Sequence, residues 1–145
     1  MKIKLNIIKD LDKITHILLE NQISPIANRM KTIQGMLAQY FIMKVNEQVK
    51  ISFISSQNKL KIFKQEQFLI NDKDDNEIQK TKYELNKKNS IFYTIKIINK
   101  NAPLLFWSPL LLTKKKDDLS DCFLQGIWYM YDLKKITILD NYEII

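Results

Sequence analysis

Two apolar runs across a short polar turn constrain this chain most. Residues 91–98 are β-branched and aromatic, Asn99-Lys100-Asn101-Ala102 turns, and residues 103–112 run apolar again. Two such runs read as a hairpin of adjacent antiparallel strands.

The flanking segments supply what could cover the hairpin. Leu11, Ile14, Ile17 and Leu18 fall at helical spacing and predict a helix over 10–19. Ser24-Pro25 reads as an N-cap followed by proline at the first helical position. Ile26, Met30 and Ile33 then share one face, and Gly35 supplies the stop, so a second helix is expected over 25–34. Beyond it the period changes to two. Phe41, Met43, Val45, Val49, Ile51 and Phe53 share one parity and predict one long strand or two. Short apolar runs at 60–63 and 68–70 suggest another strand, and the polar stretch 71–89 an exposed connection. Leu119, Phe123, Ile127 and Met130 keep helical spacing after Asp117-Asp118, and 136–145 looks like a closing strand. The expected fold class is α+β: one domain over 1–145, a mostly antiparallel sheet of about six strands covered by helices.

Composition narrows the chemistry. The chain has 145 residues, 46% of them hydrophobic, with one cysteine (Cys122) and one histidine (His16). Wholesale disorder, a disulfide framework and a Cys-rich zinc site are thereby excluded. The two glycines, Gly35 and Gly126, stand too far apart to write a phosphate loop. No run approaches the ~18 apolar residues of a membrane span, so no membrane partner is expected. The net charge is +7, but 22 Lys stand against one Arg (Arg29) and 23 Ile against two Val. That skew is the mark of an AT-biased genome, and it weakens the charge as a sign of a nucleic-acid partner. The first nine residues match neither a signal nor a transit peptide, so the protein is expected to work where it is made.

Several segments, read in order, carry a resemblance. Leu18-Leu19-Glu20-Asn21-Gln22-Ile23-Ser24 leads into a helix that closes on Gly35. Residues 91–97, the turn and 103–112 form a strand–turn–proline–strand layout. Leu124-Gln125-Gly126-Ile127-Trp128 gives a glycine turn into an aromatic helix, and Asp140-Asn141-Tyr142-Glu143-Ile144 places an acid near the end. Together they resemble the chorismate pyruvate-lyase family and its plastid and cyanobacterial relatives. The resemblance implies a lyase releasing 4-hydroxybenzoate and pyruvate from chorismate, with no metal or redox cofactor. It implies a plastid setting in quinone biosynthesis; failing that, the cytoplasm is expected.

It also implies a site. Glu143 would act as a general acid held protonated in an apolar pocket. Ile23, Ser24, Gln125 and Gly126 would bind substrate. Tyr93 stands where the family carries a strand arginine that grips a substrate carboxylate, and a phenol cannot neutralise that charge. Tyr93→Arg is therefore expected to raise chorismate affinity. Each residue also has a plainer reading: Glu143 a solvated carboxylate, Tyr93 a sheet aromatic, Ser24 a cap, Gln125-Gly126 a helix-entry turn. His16 and Cys122 read as structural, and the concentration of Trp107, Trp128, Tyr129 and Tyr131 as core. Two alternatives remain open: a non-catalytic domain of the same fold binding a small aromatic acid, or a basic ribosome- or nucleic-acid-associated protein. For the second, Lys59, Lys61 and Lys64 interleave with Leu60, Ile62 and Phe63.

Overall fold

A computed structural model describes residues 10–22, 28–45, 47–63 and 75–145, with side chains described from residue 82 in the last stretch. The chain divides into two compact units, Met1–Ser56 and Gln57–Ile145.

The first unit is built as strand, helix, parallel strand. β1 (His16–Glu20) pairs with β2 (Lys50–Ile54) in parallel, His16 opposite Lys50 and Glu20 opposite Ile54. Parallel neighbours need a long crossover, and α1 (Asn28–Lys44) supplies it. Ile17 and Leu19 from β1 meet Ala38 and Phe41 from α1 in a small core, flanked by Leu37, Tyr40 and Ile51. The Gln22 backbone N–H donates to Gln34 Oε1 at 2.9 Å, tying the exit of β1 to α1.

Three expectations change here. The helix over 10–19 is a single 3-10 turn, Leu11–Lys13, followed by β1. Ile17 and Leu19 are buried while His16 and Glu20 are exposed, so the period is two. The second helix is described from Asn28 and runs through Gly35 to Lys44, and no glycine has a positive φ. Ser24, Pro25 and Ile26 lie outside the described residues. The long strand from 41 is helical as far as Lys44, and only its far end, β2, is extended.

The second unit is helical. α2 (Asp75–Lys100) packs against α3 (Lys116–Asp132), and an apolar 3-10 segment, Ala102–Leu112, connects them. Among the described side chains of α2 the buried ones are Ser90, Tyr93, Thr94, Ile97 and Ile98, the three-four spacing of one helix face. Of these, Tyr93 and Ile97 meet Leu124 and Ile127 from α3, with Leu60 and Phe63 completing the core. Small side chains line the crossing. Ser90 and Ser120 are fully buried, and Thr94 Oγ1 donates to the Ser120 carbonyl at 3.5 Å. Polar contacts clamp the ends: Lys59 pairs with Asp121, and Lys87 with Asp117 at 2.7 Å. After α3 the chain folds back in a small hairpin, Ile138 bridging Ile144 antiparallel.

The expected α+β fold with about six antiparallel strands is overturned. Among the described residues the only sheet is the two-stranded parallel pair, and helix dominates. The predicted hairpin is the end of α2 followed by 3-10 turns, and most of the polar connection 71–89 is the start of α2. β-branched residues favour strands only where pleated neighbours receive them, and here the packing against α3 overrides that preference. Pro103 and Pro109 lack an N–H, which keeps 102–112 out of a regular α-helix. The last helix agrees with expectation, whereas the closing strand expected over 136–145 is a turn-rich hairpin with one isolated bridge.

Candidate functional site

Two features of the second unit stand out, one a small cavity and the other an exposed face.

The cavity has a volume of about 160 Å³ and lies beside Phe63, Tyr93 and Tyr142, with Ile62, Ile138 and Asp140 also lining it. α2 delivers Tyr93, whose ring stacks on Phe63 at 4.1 Å between centroids and an interplanar angle of 7°. Tyr142 stands 6.0 Å from Tyr93, tilted by 45°. It occupies a left-handed turn at φ 70°, closed by its N–H donating to the Leu139 carbonyl at 2.9 Å. Asp140 is the one charged group among the described lining residues. A dianion such as chorismate would meet a carboxylate there and no cation.

Of the described residues expected to form a site, Tyr93 alone lines the cavity. Tyr93 is buried, at 8% exposure, on a helix and not on a strand. Glu143 is exposed beyond the cavity, its backbone N–H donating to Asn141 Oδ1 at 3.1 Å. Gln125 is buried and Gly126 half-buried, both inside α3, where backbone N–H groups serve the helix ladder and cannot cradle a carboxylate. The expected loop there is absent. Ile23 and Ser24 lie outside the described residues. His16 Nδ1 meets Thr15 Oγ1 at 3.0 Å on the surface, and Cys122 is exposed. Of the aromatic concentration only Tyr129 is buried.

The exposed face belongs to the 3-10 segment. Three residues make one turn of such a helix, so positions three apart form columns. Leu104 packs on the core of the unit at the near end of the column it shares with Trp107 and Leu110. The outermost column is Phe106, Pro109 and Leu112, with Phe106 81% and Leu112 89% exposed. Leu105 at 48% and Trp107 at 49% flank it. A run of large apolar side chains turned to solvent is what folding normally removes. Sequence reasoning assigned this run to a buried strand. The available signal was its lack of alternation: 103–107 and 109–112 carry no polar residue, so a strand there would have needed cover on both faces. Lysines bracket the segment, Lys100 before it and Lys114, Lys115 and Lys116 after it, the last three all exposed. Among the described residues no helix is long and apolar enough to cross a membrane, and no group of three His, Cys, Asp or Glu could hold a metal ion.

Comparison with known proteins adds a relative and no activity. No family model matches the chain, and no solved structure matches it. An uncharacterized protein of Acanthamoeba polyphaga mimivirus is 32% identical over an alignment of 160 positions, which takes in 99% of this chain and 37% of the relative. The chain thus spans little more than a third of the length of the viral protein it resembles.

Proposed function

We propose that the chain is a docking module and not a catalyst, with the 3-10 segment Ala102–Leu112 as its contact face. The observation that carries this reading is the apolar outer column of Phe106, Pro109 and Leu112, held outward while Leu104 anchors the segment from beneath. Exposed leucines scattered singly need no explanation, whereas a contiguous apolar face calls for a partner. The lyase reading finds less support. Elimination from chorismate needs a held acid and a cation for the carboxylates, and Glu143 stands exposed while Asp140 lines the cavity.

The test separates a contact face from a structural one. Phe106→Ser combined with Leu112→Ser should abolish binding of a hydrophobic dye such as anilinonaphthalene sulfonate. The same variant should keep its stability within roughly 0.5 kcal/mol, as surface substitutions do. A steep fall in Tm would mean that these side chains belong to the core, and the reading would be withdrawn.

A further inference from the structure

We infer that the partner of the 3-10 segment is an anionic lipid surface, a proposal that rests on the docking reading above. Three observations favour lipid over a protein groove. The first is the chemistry of the face. It combines Phe106, Leu112 and Leu105 with Trp107, whose indole suits the boundary between hydrocarbon and headgroups. The second is charge. Lys100, Lys114, Lys115 and Lys116 stand at the two ends of the segment, where their ammonium groups would meet phosphate and carboxylate headgroups as the apolar column enters between them. The nearby acids do not cancel this. Asp117 is engaged by Lys87, and Asp118 offsets only Lys115, at 3.2 Å, leaving the other three lysines. Among the described residues no acid pairs with Lys100, Lys114 or Lys116.

The third observation is dimension. Eleven residues at the ~2.0 Å rise of a 3-10 helix reach about 22 Å, and the outer column from Phe106 to Leu112 covers about 12 Å. That is too short to cross a hydrocarbon core of ~30 Å, but it suits a segment lying in the surface. The backbone is compatible with such a place, since Pro103 and Pro109 have no N–H to satisfy. This is a surface contact, distinct from the membrane span that the sequence excludes.

Cosedimentation of the full chain with vesicles decides the matter. Vesicles of phosphatidylcholine with phosphatidylserine should pull the protein down, and vesicles of phosphatidylcholine alone should do so at least about tenfold less well. Phe106→Ser with Leu112→Ser should abolish binding. Lys114→Gln, Lys115→Gln and Lys116→Gln together should remove the preference for phosphatidylserine, and added salt should mimic that loss. In a Trp107→Phe background the vesicle-induced blue shift of tryptophan fluorescence should largely vanish. Failure to sediment with phosphatidylserine vesicles, in a sample that is folded and still binds the dye, would overturn the lipid proposal and leave the docking reading standing. A concentration-dependent dimer abolished by the Phe106 and Leu112 substitutions would overturn it in favour of a second copy of the chain. Unfolding of those variants would bring down the docking reading itself.

Discussion

Asn101 holds Tyr142 and Ile144 with one side chain. Its Nδ2 donates to the Tyr142 carbonyl at 3.0 Å and to the Ile97 carbonyl at 2.6 Å, and its Oδ1 accepts the Ile144 N–H at 2.8 Å. The residue sits where α2 ends and the apolar segment begins, and its own carbonyl accepts the Leu104 N–H at 2.8 Å. One side chain thereby fixes the launch of the segment against the terminal hairpin.

Asn101→Ala removes all three side-chain bonds and leaves half-buried backbone groups without them. Destabilisation of about 2 kcal/mol is expected, more than a single neutral hydrogen bond contributes. Chemical denaturation followed by circular dichroism measures it. A loss below roughly 0.5 kcal/mol would show that water replaces the amide without penalty.

Both glycines sit in helix interiors, Gly35 in α1 and Gly126 in α3. A Cβ at either meets nothing within 4 Å. Alanine there costs no space and lowers the entropy of the unfolded chain, so Gly35→Ala and Gly126→Ala should each stabilise by about 0.5–1 kcal/mol. They lie in separate units, and the gain at each should appear in the melting of its own unit. A loss of stability at Gly126 would point to a close approach that the helix does not show.

The glycines also show how the sequence misled. Gly35 reads as a helix stop because a change of period follows it, yet Phe41, Val45, Val49 and Phe53 are spaced by four. Residues four apart share a face in a strand and in a helix alike, so that row decides nothing. Met43 would have decided, and it is 76% exposed. The same ambiguity hid the end of α2. Tyr93 and Ile97 are buried under either reading, while Thr94 at 1% exposure and Ile95 at 39% are compatible only with the helix. Sequence alone cannot supply those two burials, because β-branched residues at 94 and 95 suit both states. Where helical spacing is sustained, as at Leu119, Phe123, Ile127 and Met130 after Asp117-Asp118, the reading agrees with α3. The candidate site is less legible, since it rests on a layout of strands that the described residues do not form.

The pair between Lys87 and Asp117 should be visible in the pH dependence of stability. The hydrogen bond to Asp117, helped by Tyr83, raises the Lys87 pKa above its ordinary 10.5. The hydrogen bond from Lys87, followed by a backbone one, lowers the Asp117 pKa below its ordinary 3.8. For the depressed carboxyl, the stabilisation is present above the unfolded value and lost as pH falls through the folded one. For the raised ammonium it is present below the unfolded value and lost as pH rises through the folded one. Melting temperatures should therefore plateau between those limits and fall on both sides. In Asp117→Asn both limbs should flatten. An unchanged acid limb would assign the loss to other carboxylates.

Tyr93→Arg tests the resemblance and the structure against one another. If position 93 stood on a strand facing a carboxylate-bearing ligand, arginine would supply a charge-assisted pair and chorismate would bind more tightly. In α2, however, the Tyr93 ring is buried and stacked on Phe63, with Phe92 edge-on at 5.3 Å. A guanidinium there loses the stacking, worth about 0.5–1.5 kcal/mol, and must shed its water. Asp140 borders the cavity, but it is exposed and stays solvated, so it offers little compensation. The expected outcome is destabilisation of the second unit by about 3 kcal/mol or more, with no gain in chorismate affinity. Tyr93→Phe, which keeps the ring and drops only the hydroxyl, should stay within about 1.5 kcal/mol of wild type. Thermal melts of both variants, with and without chorismate, provide the measurement. A Tyr93→Arg protein that melts like wild type and is stabilised by chorismate would restore the lyase reading.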